Sequence, residues 1–325
     1  MNNLLCICIP TYNRADKVDE TLAFLIPHCK KYNISICVSD NNSSDHTCDV
    51  VNKHQQEYSL IQYKSNESNI GPDKNFESAL KMSTCDYSWL LGDDDVILFS
   101  EIDSVLTTLT DNAPDFLVVN TRNQVTEKLP DHYSDKNKLL RELGWHMSFI
   151  SSLIFSKECI KSARFSDFYG TGFAHIGAVF SYLAKLDLMD VRWVDKVLVT
   201  TLRTDDDFPS WYSQLLLVFG ENWLNTIVSL PTQYTAESKL IGARNLWEKS
   251  SIISMKALLL LRAYNMLSYS DVNRHYTVLS ALIGNKSFLV FIISLIPKVL
   301  IYKPISIVFN LYMKKRNKET LLLRN

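Results

Sequence analysis

With 325 residues, 46% hydrophobic and 21% charged, the chain is long enough for one large domain and a smaller appended one, both with cores. A net charge of −1 argues against a general nucleic-acid binder, but the charge is uneven. Residues 286–325 hold eight Lys or Arg against one Glu (+7), which leaves −8 for residues 1–285. Seven cysteines, with no C-x-x-C and no paired His spacing, read as reduced thiols, with Cys6 and Cys8 as small core residues of a strand. No basic region precedes an apolar stretch in residues 1–5, so no secretory signal is expected and the chain reads as cytosolic.

Leu4 to Ile9 is a continuous apolar run, the pattern of a strand buried on both faces. Pro10-Thr11-Tyr12-Asn13-Arg14 ends it, and Asp16 is placed to cap a helix whose apolar positions are Val18, Leu22 and Leu25. A second strand, 34–38, runs into Ser39-Asp40-Asn41-Asn42-Ser43-Ser44-Asp45, a loop of short polar side chains that can bond one another and a ligand. It lacks the glycine and closing glutamate of a calcium loop. Helix 46–57, strand 61–64 and helix 73–82 follow, the last entered through Asn69-Ile70-Gly71-Pro72.

Strand 87–91 then delivers Gly92-Asp93-Asp94-Asp95. Three adjacent carboxylates leaving a core repel one another, so a cation is expected among them. In an extended backbone Asp93 and Asp95 share one side and Asp94 points away, a spacing suited to a hard divalent ion. Strands alternating with helices at this spacing predict an α/β fold, a doubly wound, mainly parallel sheet covered on both faces. Ligands of such sheets bind beyond the carboxyl ends of the strands. Loops 10–14, 39–45 and 92–95 all fall there.

These same stretches resemble the family-2 glycosyltransferases of the GT-A fold: Ile9-Pro10-Thr11-Tyr12-Asn13-Arg14, Ser39 to Asp45, Asn69-Ile70-Gly71, and Gly92 to Asp95, in matching order over about residues 4–205. The pattern is similar to bacterial O-antigen enzymes, the abequosyltransferase type among them. The resemblance implies a nucleotide-diphosphate sugar donor held by Pro10, Thr11, Tyr12 and Arg14, with Asp40 and Asn42 at the base or ribose. It implies Asn69 and Gly71 beside them, Lys74 as a further cation for phosphate, and Asp94 in the donor pocket. Asp93 and Asp95 become the D-x-D pair that holds the diphosphate through Mg²⁺ or Mn²⁺. The acceptor it implies is a saccharide, polyprenyl-diphosphate-linked, in surface polysaccharide synthesis. A nucleotidyltransferase or a non-catalytic nucleotide-sugar-binding protein are the alternatives, though no Gly-rich signature of the former occurs in residues 1–20.

Strand 115–120 comes next, and residues 121–146 read as a polar loop over the acceptor. Residues 149–155 read as a strand, 157 onward as a helix, and 168–173 as a flexible aromatic loop entering another helix. Inverting relatives carry a Glu-Asp pair at that helix start, where this chain has Ala174-His175. The expected base is therefore His175, whose imidazole titrates near neutral pH, with Asp167 the nearest carboxylate. Strands at 191–194 and 197–202 precede Arg203 and a second acidic triplet, Asp205-Asp206-Asp207, read as a helix entry.

From Trp211 to about 283 the pattern is helical. Apolar segments 288–296 and 305–313, broken by Pro297, Lys298, Lys303 and Pro304 and followed by the basic run 314–318, predict an interfacial anchor on an anionic membrane rather than a spanning helix. The resulting division is a GT-A domain at 1–208, a helical extension at 209–284 and a basic amphipathic tail at 285–325.

Overall fold

The computed structural model describes residues 3–201, 210–250 and 254–307. Arg203, the triplet Asp205–Asp207, the apolar stretch 308–313 and the basic run 314–318 lie outside the described residues. The chain divides into two compact units, Met1–Leu202 with Leu230–Thr235, and Arg203–Ser229 with Ala236–Asn325.

The first unit is built on nine strands: β1 (Leu5–Thr11), β2 (Ser35–Asp40), β3 (Ile61–Ser65), β4 (Tyr87–Leu90), β5 (Asp95–Ile97), β6 (Phe116–Thr121), β7 (His132–Tyr133), β8 (Leu153–Ser156) and β9 (Val191–Thr201). They form one sheet in the order β3-β2-β1-β4-β8-β6-β9-β5, with β7 added to β9. The half from β3 to β4 is wholly parallel. Antiparallel β8 joins it to the other half, in which β6 and β9 run parallel. Helices α1 (Ala15–Tyr32), α2 (Thr47–Glu57), α3 (Pro72–Met82), α4 (Ile102–Asn112), α5 (Lys136–Glu142), α6 (Lys157–Ser162) and α7 (Ala174–Leu183) connect them.

Every residue of β1 is buried, as its unbroken apolar run requires of a strand covered on both faces. Ile7, Ile9, Leu22, Leu25, Val38 and Trp89 share one core with it, each fully inaccessible. Burying a side chain of this size contributes roughly 1.5–3 kcal/mol, so the strand order is specified chiefly here. The carboxyl ends of β1, β2 and β4 therefore open on one edge.

Four local expectations are corrected. Asp16 lies inside the first turn of α1, and the N–H of Ala15 is instead capped by Asp45 of the next loop at 3.0 Å. The stretch 121–146 is not a bare polar loop: it contains β7 and α5, and it buries Tyr133, Leu139, Leu140, Leu143 and Trp145. Residues 191–201 form a single strand with irregular register against β6 rather than two. The expected strand 149–155 begins only at Leu153, because Ile150–Ser152 is a 3-10 turn.

In the second unit a π-helical segment (Leu216–Asn222) leads into α8 (Trp223–Val228), followed by α9 (Ala236–Lys249), α10 (Met255–Ala263), α11 (Tyr269–Arg274), α12 (Tyr276–Ile283) and α13 (Lys286–Leu295). The indole N–H groups of Trp223 and Trp247 are satisfied by the carbonyls of Ala243 and Phe219 at 2.9 and 2.8 Å. Helix α13 buries Val290 and Ile293 but leaves Phe288, Leu289, Ile292 and Leu295 exposed. Among the described residues no single helix is long and apolar enough to cross a membrane; α13 and the helix Lys298–Ile307 form a pair bent by 101°.

Candidate functional site

The four loops at the carboxyl edge are tied to one another before any ligand is considered. The N–H of Asn41 donates to the Thr11 carbonyl at 2.9 Å, and the N–H of Asn66 to the Asp40 carbonyl at 2.8 Å. Asn13, in the left-handed region at φ 52°, accepts from the N–H of Ser44 at 2.7 Å. Asn41 accepts from the N–H of Ile70 at 2.9 Å and donates to the Asn69 side chain at the same distance. Asn75 of α3 completes the floor, donating to the carbonyls of Thr11 and Ser39 at 3.3 and 3.1 Å. This residue carried no signal in the sequence beyond being one polar position on a helix.

Gly92 to Asp95 makes a tight turn, closed by the Asp95 N–H on the Gly92 carbonyl at 3.0 Å. A Cβ at Gly92 would lie 3.2 Å from an Asp95 oxygen, which favours glycine there. A turn at Asp93–Asp94 interrupts the extended backbone expected for these residues, which begins again only at Asp95 in β5, and the side chains do not alternate as expected. Asp93 and Asp94 share Arg14, at 2.5 and 3.0 Å, while Asp95 pairs with Arg122 at 2.5 Å and accepts from Ser151 at 2.7 Å. Thr11 adds a hydrogen bond to Asp93 at 2.8 Å. All three carboxylates are buried, and burial pushes the Asp93 carboxyl up to about 6, against the pull of Arg14.

Among the described residues these three carboxylates meet two guanidinium groups, and oxygen donors of this kind suit Mg²⁺ or Mn²⁺. Among the described residues no three acidic, His or Cys side chains converge into a closed metal cage. Arg122 and Ser151 went unnoticed in the sequence. The only signal in the sequence was the polar stretch Thr121-Arg122-Asn123 that ends the apolar run of β6; in the structure Arg122 and Asn123 have positive φ, 53° and 52°.

Asp40 is buried and its carboxylate is engaged: one oxygen accepts from the N–H and hydroxyl of Ser43 at 2.9 and 2.5 Å, the other from Tyr63 at 2.7 Å. Pro10 is buried beneath the site, while Tyr12, 43% exposed, Asn42 and Asn69 lie at its surface. Gly71, at φ 82°, has open space around it. Lys74 is exposed, its ammonium 5.3 Å from the centre of the Tyr169 ring rather than among the carboxylates.

The segment before α7 is placed by α3. Asp73 is buried, and its carboxylate accepts from the N–H groups of Gly170, Gly172 and Ala174 at 2.8, 3.0 and 3.2 Å. One turn further along α3, Glu77 accepts from the Tyr169 hydroxyl and pairs with Lys81 at 2.6 Å. A Cβ on Gly177 would meet the Phe168 ring at 2.2 Å, so this segment packs directly on the α7 backbone.

His175 does not reach the surface expected of a base. It is 1% exposed, beside the rings of Phe76 and Phe173, and among the described residues neither ring nitrogen has a hydrogen-bond partner. Burial depresses its pKa to about 4, and the nearby Ser148 backbone offsets only part of that. Asp167 faces solvent and pairs with Arg164 at 3.2 Å.

Open α/β sheets bind their ligands beyond the carboxyl ends of the strands, and these carboxylates and arginines lie at that edge. The chain belongs to glycosyl transferase family 2, whose model matches residues 6–171, and is a glycosyltransferase. It is 31% identical over 230 residues to the abequosyltransferase RfbV of Salmonella typhimurium, which covers 63% of this chain and 68% of that one. It is 24% identical over 174 residues to the GalNAc(5)-diNAcBac-PP-undecaprenol beta-1,3-glucosyltransferase of Campylobacter jejuni, covering 51% of this chain and 56% of that one. Among solved structures, the mannosyltransferase PcManGT of Pyrobaculum calidifontis in complex with GDP-Man and Mn²⁺ shares the fold at a TM-score of 0.51 and 16% identity, over 89% of this chain and 86% of that one.

Proposed function

We propose that the chain moves a sugar from a nucleotide-diphosphate donor to a lipid-linked saccharide in the synthesis of an O-antigen-type surface polysaccharide. The observation that carries this reading is the buried Asp93–Asp95 turn facing Arg14 and Arg122 at the end of a parallel strand. Relatives support the rest: the mannosyltransferase structure holds a nucleotide sugar and Mn²⁺, and the name of the Campylobacter relative specifies an undecaprenol-linked acceptor.

In this reading Tyr12 stacks on the base, and Asp40 holds the loop 39–45 through Ser43 and Tyr63 in the shape that receives the nucleotide. Arg14 gives up Asp93 but keeps Asp94, Arg122 turns from Asp95 toward the diphosphate, and Asp93 and Asp95, so released, would hold a divalent cation. Bound there, Mg²⁺ or Mn²⁺ supplies charge neutralisation for the departing nucleotide diphosphate. The acceptor hydroxyl forms a bond to the anomeric carbon as the bond to the diphosphate oxygen breaks, and the hydroxyl proton passes to a phosphate oxygen of the departing nucleotide diphosphate. Asp94 stays with Arg14 and contributes less than its neighbours.

The exposed apolar residues of α13, Phe288, Leu289, Ile292 and Leu295, next to Lys286, suit the headgroup region of an anionic membrane on its cytosolic side, where a polyprenyl-linked acceptor would lie. A thermal-shift screen of nucleotide sugars with and without Mn²⁺ tests the donor half of the reading, because a ligand of the folded state raises Tm by mass action. A shift for one nucleotide class that depends on the metal and disappears in Asp95→Ala is expected; no shift with any nucleotide sugar would refute it.

A further inference from the structure

Helix α3 touches two parts of the site with alternate side chains. Asn75 and Ser78 face the donor floor: Asn75 donates to the Thr11 and Ser39 carbonyls, and the Ser39 hydroxyl reaches Ser78 at 2.9 Å. Asp73 and Glu77, one turn apart, hold the segment 169–174. A carboxylate that accepts three backbone N–H groups in a buried place is a strong, charge-assisted anchor, and it is fixed by backbone rather than by flexible side chains. Gly170 and Gly172, at φ 85° and 78°, present bare backbone there, a surface to which a sugar ring can come close.

We propose that Asp73 is a positioning residue: through α3 it sets the 169–174 segment, as the acceptor-side wall, in register with the donor floor. The proposal rests on the glycosyl-transfer reading above. Donor loops 10–14, 39–45 and 92–95 hold together through their own bonds and do not depend on Asp73. The wall does. Loss of the carboxylate frees three N–H groups at the start of α7 and lets the wall drift, and a misplacement of about 1 Å at a reacting centre can lower a rate about 100-fold.

The test uses the full chain with Asp73→Ala and Asp73→Asn, and three measurements. Calorimetry with the nucleotide diphosphate selected by the thermal-shift screen should give an affinity within about twofold of wild type. Transfer to the acceptor should fall about 100-fold in Asp73→Ala and recover partly in Asp73→Asn, whose amide oxygen still accepts from backbone N–H groups. Hydrogen exchange at residues 170–174 should quicken in Asp73→Ala while the amides of 11–14 and 40–46 stay protected. A parallel fall in nucleotide affinity, or full transfer despite lost protection at 170–174, would overturn the proposal. Should Asp73→Ala fail to fold, Glu77→Gln with Tyr169→Phe cuts the second tether and reads the same split. A wild-type chain that binds no nucleotide defeats the glycosyl-transfer reading itself, and the exchange measurement still reports whether Asp73 holds the segment.

Discussion

The first unit buries carboxylates in two ways. Asp93, Asp94 and Asp95 are held by the guanidinium groups of Arg14 and Arg122, at the ends of long side chains, whereas Asp73 is held by three N–H groups of the chain itself. Both arrangements offset the penalty of taking a charge out of water. They differ in what can replace the partner. An arginine can turn away and leave a carboxylate to a metal ion or a phosphate-bearing ligand at little backbone cost. A backbone nest releases its carboxylate only if the segment moves. The first arrangement suits a binding site and the second a structural tie, and each prediction below separates the two.

The largest effect is expected on the arginine-paired side. Asp95→Ala should lower glycosyl transfer about 10³-fold, the equivalent of several kcal/mol of lost charge stabilisation, while Asp94→Ala lowers it about tenfold. Steady-state rates at saturating Mn²⁺ measure this; equal, mild losses in Asp93→Ala, Asp94→Ala and Asp95→Ala would erase the distinction drawn within the turn.

Acid should pull the two regions in opposite directions. The Asp93 carboxyl is raised from 3.8 to about 6 by burial, so its proton is held more tightly in the folded chain; that stabilisation is complete below pH 3.8 and is lost as pH rises through 6. His175 is depressed from 6.5 to about 4 by burial, so its contribution is complete above pH 6.5 and is lost as pH falls toward 4. The second shift amounts to about 3 kcal/mol at its limit. Hydrogen exchange at pH 7 and 4.5 should therefore show protection weakening around 170–175 before it weakens at 92–95. The reverse order would contradict the burial argument.

Arg14→Ala should destabilise the chain by about 2 kcal/mol at pH 7, because Asp93 and Asp94 lose their shared partner. Added Mn²⁺ should restore most of that Tm loss, and no cation should restore Asp73→Ala, whose lost group is the anion itself. Equal indifference of both variants to Mn²⁺ would remove the contrast. The smallest effect belongs to Asp167→Ala: its pair with Arg164 is solvent-exposed, worth under about 0.5 kcal/mol, and transfer should be unchanged. A large loss of turnover there would reinstate Asp167 as the base.

Much of this was legible in residue order alone. The apolar runs of β1 and β4, the strand–helix alternation through residue 91 and the polar stretches 10–14, 39–45 and 92–95 are local signals, and strand burial on both faces leaves a parallel half-sheet as the arrangement that accommodates them. That was enough to bring these loops to one edge, while the family came from the resemblance of the motifs they carry. What residue order could not supply is which cation each carboxylate meets, since Arg14 and Arg122 are separated from the turn by 79 and 27 positions. Nor could it show that a turn at 93–94 breaks the extended backbone expected over 92–95, or that α5 and β7 occupy a stretch that reads as polar loop. His175 makes the same point from the other side. Its residue type suits a base, but the packing of Phe76 and Phe173 around it decides that the ring is dry and neutral. Asp73 shows the limit most plainly: its partners lie about a hundred residues away and are backbone N–H groups, which every residue but proline carries, so only the tertiary fold could select them.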